Sequence, residues 1–289
     1  MSLWALVATV IGSTALLVGI APGAGAASSN TLTVTAGEYA YSLKGSPQTG
    51  WVTVQFKNGG VENHMMAVVK LKKGVTAAQL KKVAVAQDDA AFAKIADTSG
   101  GGDGSVSGMP NVLSPGNSTA TITQLKAGHY GIMCFVPAAS DGQPHVAHGM
   151  VKTFDVSSTK SSAKPPTDGV GTVTLTDSSI TIPSSTAPRA FTVKVTNTGS
   201  APHNFTIAKI ESGHTLDEVL SYYNDFFNTG KASGTPPGTI FGGVDDIAPG
   251  GVAYAELSLQ PGHYGYLSTD GDAPNDDVSK GLKGEFDVK

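Results

Sequence analysis

The 289-residue chain is predicted to be all-β and to hold two copies of one domain in tandem, each with a helical insertion. Three observations predict this. Glycine (36 residues) and proline (16 residues) punctuate many short runs in which apolar and polar residues alternate, the pattern of half-buried strands bounded by turns. Helical spacing is confined to one stretch in each half. The second half also repeats the first segment by segment, as duplicated units do.

Taken in order, residues 1–27 carry no charge, and residues 3–20 are an apolar run broken by Pro22-Gly23. Ala24-Gly25-Ala26 is a small-residue cleavage pattern, so residues 1–27 read as an export signal peptide. The run is nearly long enough to span a bilayer, so an uncleaved cell-surface anchor is the alternative. On either reading the protein is secreted or extracytoplasmic, and it meets a membrane only through this segment.

The first domain is expected over residues 29–158, with strands at 31–35, 51–57, 66–71, 118–125, 130–135 and 150–156. Between them, residues 76–96 place Leu80, Val83, Phe92 and Ile95 at helical spacings. The stretch SGGGDGSVSG (99–108) lacks the strand-to-helix context of a phosphate cradle and reads as a flexible loop. Residues 159–168 are polar and proline-containing and read as a linker; residues 169–289 form the second domain.

The repeat is explicit. FTVKVTNTGSAPHNFTIAKI (191–210) parallels VTVQFKNGGVENHMMAVVKL (52–71), setting His203 against His64. LQPGHYGYLS (259–268) parallels LKAGHYGIMC (125–134), and KGLKGEFDV (280–288) parallels HGMVKTFDV (148–156). The helical insertion recurs at 214–228.

The net charge of −4 is unevenly spread. Up to Lys164 there are 12 Lys+Arg against 8 Asp+Glu, and from Pro165 onward 7 against 15. No basic run has the footprint of a nucleic-acid binder; Lys70, Lys72, Lys73, Lys81 and Lys82 read as a solvated face. With one cysteine, no disulfide can form within the chain. An unpaired cysteine in an exported protein is either a metal ligand or a buried inert thiol.

Cys134 ends an apolar strand-like run and is followed by a Pro/Gly/Asp-rich loop, then His145, His148 and Met150. A thiol, imidazoles and a thioether around one loop suit a soft, redox-active metal, and two His, one Cys and a weak axial Met are the ligand set of blue copper. The loop supplies Cys, one His and Met, so a second His must come from elsewhere; His64, after the strand at 51–57, is the candidate.

These residues resemble the cupredoxins, the plastocyanin and azurin family of Greek-key β-sandwiches. The resemblance implies two tandem Greek-key β-sandwich domains. It also implies one copper per chain held by His64, Cys134, His145 and Met150 in the first domain. The His145 to Met150 interval matches that of plastocyanin. Ten residues separate Cys134 from His145, more than is usual in the family, and Met65 follows His64 where plastocyanin and azurin have Asn. His148 is the alternative to His145, or an exposed electron exit beside the metal. His145 itself is expected near the sandwich end with a partly exposed edge.

The repeat serves as an internal control. His129 and His263 both stand in GHYG and read as structural. Ser268 replaces Cys134, Asp277 replaces His145 and Leu282 replaces Met150, so the second domain is expected to lack the copper site. Met65, Met66 and Met109 either line a route in for Cu(I) or fill the core, and Met133 points to the opposite face from Cys134. Asp270, Asp272, Asp276 and Asp277 form either a solvated loop or a site for a hard cation. A multicopper oxidase needs paired His-x-His motifs, and none occurs; a Cys-His hydrolase needs an oriented base; structural zinc does not favour Met150. The chain is therefore expected to be no enzyme but an exported one-electron carrier with an unnamed redox partner. The alternatives are copper delivery and a purely structural sandwich pair.

Overall fold

The computed structural model describes residues 30–99, 103–167, 170–182, 186–187, 190–271 and 275–289. The signal peptide read into residues 1–27 lies outside them.

The first half begins β1 (Thr31–Gly37), β2 (Ala40–Lys44), β3 (Gln48–Asn58) and β4 (Ala67–Leu71). After helices α1 (Ala77–Ala86) and α2 (Asp89–Ile95) come β5 (Met109–Pro110), β6 (Ser118–Leu125), β7 (Gly128–Met133) and β8 (Val151–Lys160). The second half continues with β9 (Gly171–Thr176), β10 (Ser179–Thr181), β11 (Thr186–Ala187), β12 (Ala190–Asn197) and β13 (His203–Ile210). It closes with α3 (Leu216–Thr229), β14 (Gly238–Ile247), β15 (Val252–Ser258), β16 (Gly262–Leu267) and β17 (Lys283–Val288).

In each half one sheet faces another across an apolar core. β1 lies parallel to β3, which pairs antiparallel with β6, and β4-β7-β8 form the opposite antiparallel sheet. The second half repeats this, with β9 parallel to β12, β12 antiparallel to β15, and β13-β16-β17 opposite. Alternation drives the packing: Leu32, Val34 and Ala36 of β1 and Val52, Val54 and Phe56 of β3 all point into one core. Cys134, Met66, Met109 and Met150 lie in that same core, whereas Met133 joins the separate cluster under α1. The fold is thus the expected pair of β-sandwiches, and Met66 and Met109 fill the core.

The helical stretch at 76–96 is two helices. Gln87 takes a left-handed conformation (φ 49°) that ends α1, and the Asp88 carboxylate accepts from Ala91 N (2.9 Å) to start α2. Thr76 with Gln79, and Thr215 with Glu218, form capping boxes that begin α1 and α3 in equivalent places. The expected linker opens as strand, because β8 runs on to Lys160 alongside Gln48 and Thr49.

The two halves share both sheets. β6 pairs antiparallel with β15, centred on Thr121 opposite Ala255, and β5 pairs antiparallel with β14, with Pro110 opposite Val244. In both cases the partners are equivalent positions of the repeat, 134 apart (255 less 121, 244 less 110). Equivalent strands paired antiparallel define a local twofold axis between the halves, the geometry of an isologous dimer interface. Asn111 Nδ2 donating to Thr206 Oγ1 (2.6 Å), and Ser114 Oγ accepting from Ile240 N (3.0 Å), pin the same junction.

Candidate metal centre

The site is assembled where β3 and β7 run out. Beyond β3, Asn58 ties the loop: its Nδ2 donates to the carbonyls of Glu62 (2.8 Å) and Leu113 (2.9 Å), and its Oδ1 accepts from Gly60 N (2.9 Å). His64 then forms an isolated two-way bridge with Leu113, its N–H donating at 3.0 Å and its carbonyl accepting at 2.8 Å. This fixes where its imidazole starts. Asn197 makes the same three bonds in the second half, to Ala201, Ile247 and Gly199.

Cys134 follows β7, with its N–H on the Met150 carbonyl (3.2 Å) and its carbonyl accepting from Val146 N (2.8 Å). The long Cys134–His145 interval folds on itself. Pro137 bridges Pro144, Ala138 N donates to Gln143 O (2.8 Å), and His145 N returns to Val136 O (2.9 Å). The extra residues are consumed by this small hairpin, so His145 comes back beside Cys134. A tight turn follows, in which His145 O accepts from both His148 N and Met150 N at 3.0 Å.

His64, Cys134, His145 and Met150 are each 0% exposed. The His64 and His145 Nδ1 atoms are 3.1 Å apart, and Cys134 Sγ lies 3.4 Å from His145 Nδ1 and 4.0 Å from His64 Nδ1. Among the described residues, this is the one group of His, Cys, Asp or Glu side chains close enough to hold a metal ion. Met150 is packed in the core that contains Cys134. His148 stands outside the group: it is partly exposed, paired with Asp141 (3.2 Å) and stacked on Tyr39 (ring centroids 4.7 Å apart). The partly exposed edge expected of His145 is absent. Glu62 and Tyr39 cover that ring, Glu62 Oε2 at 2.8 Å from His145 Nε2 and Tyr39 edge-on at 4.9 Å.

Electrostatics prepare the donors. Burial pushes the Cys134 thiol up to about 11, while the Met65 and Val136 amides and the Tyr41 hydroxyl pull the other way, favouring the thiolate. The Met65 contribution comes from its backbone and so does not depend on its side chain. Burial lowers both His64 and His145 below the ordinary imidazole value; His145 pushes His64 further down, and Glu38 and Glu62 oppose the shift. Without metal the three donors are held uncharged and converging. Tyr41 is fully packed, donates to Met65 O, and is itself raised by burial and by Cys134.

A thiol sulfur and two imidazole nitrogens in a dry pocket, with a buried thioether in the same core, fit copper by donor chemistry. Each donor buried without a strong partner is costly to leave alone, and His64 Nε2 has no hydrogen-bond partner within normal reach.

The second half places its counterparts equally deep. His203, Ser268 and Leu282 are all fully buried, and Asp277 nearly so. There Asp277 Oδ2 takes a bond from Ser268 Oγ (2.6 Å) and meets His203 Nδ1 (2.6 Å), while His203 Nε2 meets Asp177 (3.1 Å). Asp277 therefore belongs to no solvated loop. Asp276 is engaged by Ser279 and Asp270 by Asn204, and Asp272 lies outside the described residues. His129 and His263 make the same strand-start pairing, to Asp155 (2.6 Å) and Asp287 (2.9 Å).

Glu38, Glu62, Tyr39 and Tyr41 are site residues that sequence reasoning missed. The recurrent spacing Asn58-x-Gly60-x-x-x-His64 and Asn197-x-Gly199-x-x-x-His203 is the signal that points to the loop holding one of them.

No family model and no curated protein matches the chain. Solved structures resemble it. An auracyanin from the photosynthetic bacterium Roseiflexus castenholzii is 19% identical over 43% of this chain and 99% of its own, with a TM-score of 0.31. A multicopper oxidase is 12% identical over 90% of this chain and 88% of its own (TM-score 0.26). A Cu-containing nitrite reductase from Thermus scotoductus is 9% identical over 90% of this chain and 61% of its own (TM-score 0.25). By their names these neighbours include copper proteins. The expectation of no enzyme is corrected by them, since the two that span both halves bear the names of enzymes. At such identities the likeness concerns the fold, and the chemistry rests on the residues themselves.

Proposed function

We propose that the chain is an exported one-electron carrier with a single blue (type 1) copper centre in its first half, held by His64, Cys134, His145 and Met150. The observation that carries this reading is the convergence of Cys134 Sγ and two imidazole Nδ1 atoms, all fully buried, within 4.8 Å of one another. Copper supplies one-electron exchange by alternating between Cu(I) and Cu(II). The chain supplies a site whose donors are anchored by backbone bonds on both sides, so that little has to move when charge changes.

Cys134 would supply the thiolate, losing its proton as copper binds. Met150, buried in the same core, would add a thioether sulfur that tunes the site more than it holds the ion. Tyr39 and His148 stand between His145 and solvent, edge-on and then stacked, so this aromatic pair is the exposed side presented to a redox partner. Export rests on the uncharged, apolar residues 1–27, and no helix among the described residues is long and apolar enough to cross a membrane.

Visible absorption of the Cu(II)-loaded protein tests the reading. A strong thiolate-to-copper band is expected, and Cys134→Ser should abolish it while the fold survives, because Ser268 already fills the equivalent buried place. A band that persists in the variant would overturn the assignment.

A further inference from the structure

Each candidate imidazole has Nδ1 among the clustered donors and Nε2 on the side of a carboxylate. Glu62 Oε2 lies 2.8 Å from His145 Nε2, and Glu38 Oε1 lies 3.5 Å from His64 Nε2. The two contacts differ in kind when the halves are compared. Register places Asn58 opposite Ala36 and Asn197 opposite Leu175, so Glu38 is equivalent to Asp177. Asp177 makes the same contact to His203 (3.1 Å). Gly60 and Gly199 match too: a Cβ at either would crowd the imidazole Nε2, at 2.6 Å and 2.9 Å, as well as the carboxylate. The carboxylate on the upstream histidine is therefore architecture, present with or without a metal site.

Glu62 is different. Its counterpart is Ala201, and the second half has Asp277 where the first has His145. Glutamate and imidazole are present together or absent together. Glu62 is itself held from three sides: its oxygens lie 3.3 and 3.4 Å from Ala139 N, the Tyr39 hydroxyl approaches at 3.4 Å, and its own carbonyl is fixed by Asn58. Its side chain is only 16% exposed. It thus joins the loop after β3 to the hairpin that carries His145.

Resting on the copper reading above, we propose that Glu62 is a positioning residue for the copper centre. It fixes His145 with Nε2–H outward and Nδ1 inward, and its carboxylate favours the oxidised ion, holding the reduction potential down. The physical basis is that a metal-bound imidazole is oriented and made more basic by such a partner. A partly buried anion also attracts the doubly charged ion more than the singly charged one, with little screening.

The test uses the full chain, wild type and the variants Glu62→Gln and Glu62→Ala, with Asp177→Asn as control. Cu(II) and Cu(I) affinities by competition titration and the midpoint potential are measured, together with the His145 tautomer by nitrogen NMR of the metal-free protein. Loss of the outer partner is expected to weaken Cu(II) binding about 10- to 100-fold and Cu(I) binding much less. The potential then rises about 59 mV for each tenfold difference, and the thiolate band is retained. Glu62→Ala should also release the metal-free tautomer preference, and Asp177→Asn should change none of these. An unchanged potential in a blue protein, or equal loss of both oxidation states, overturns the charge role. An unchanged tautomer overturns the positioning role. Absence of the thiolate band in wild type instead sinks the copper reading and the charge role with it, leaving the tautomer alone to decide positioning.

Discussion

The two halves build the same pocket and use it in opposite ways. In the second, His203, Asp277 and Ser268 satisfy one another at 2.6 Å, and Leu282 closes the floor. In the first, His145 Nε2 has Glu62 at 2.8 Å, but on the inward side Cys134, His64 and His145 face only one another, with no carboxylate between them and the two Nδ1 atoms 3.1 Å apart. Buried polar groups are normally paired, so the first half gives up stability that the second half recovers. The contrast teaches that the fold does not require the metal donors at these positions; they are there for chemistry.

The largest effect expected from this contrast is in pH. Above about pH 7 both imidazoles have already lost their protons, because their values are lowered by burial, but the Cys134 thiol keeps its proton up to about 11. Each copper bound then displaces one proton, so affinity should rise about tenfold per pH unit from about pH 7 to 10 and level off near the thiol value. Competition titrations across that range check this, and a flat profile would contradict the thiolate assignment.

Next comes the cost of breaking the self-satisfied pocket. Asp277→Ala leaves His203 Nδ1 and Ser268 Oγ buried without their partner and should destabilise the protein by roughly 3 kcal/mol in denaturant unfolding. A loss below about 1 kcal/mol would mean that the network is not what stabilises the second half. A smaller effect is expected at Tyr41, whose counterpart is the apolar Ile180. Tyr41→Phe removes the bond to Met65 O and should cost about 1 kcal/mol in the metal-free protein. It also removes a hydroxyl that favours the thiolate, so Cu(II) affinity should fall with it. The smallest effect belongs to Ser268→Cys. With Asp277 and Leu282 still in place it should create no second blue centre, and metal analysis should still give one copper per chain.

The donors were legible because cysteine, histidine and methionine are sparse here and fall at spacings that few structures explain. The repeat was legible for the same reason, through motifs such as GHYG. Glu62 and Glu38 were not: Glu62 looks solvated until Asn58 folds its loop, and Glu38 sits in the β1–β2 turn, whose nearness to His64 the sequence does not give. The burial of His145 was not legible either: its place near the sandwich end led to the expectation of an exposed edge, whereas Glu62 and Tyr39, from distant segments, cover the ring. Gln87 gave no sign of a helix end, because its left-handed backbone is a choice few glutamines make. The pairing of β6 with β15 was illegible too: alternation tells which face of a strand is buried and says nothing about which neighbour its edge meets.

That last pairing has a consequence for how the molecule behaves when scarce. Two separate subunits joined through equivalent strands would come apart on dilution below their dissociation constant, exposing open strand edges to chance partners. Here the partner of β6 is always supplied by the same chain, at an effective concentration that dilution does not touch. Covalent union also ends the rule that a change in one subunit is a change in both. One half can therefore carry reactive donors where the other carries a closed hydrogen-bonded pocket, while the two stay joined edge to edge.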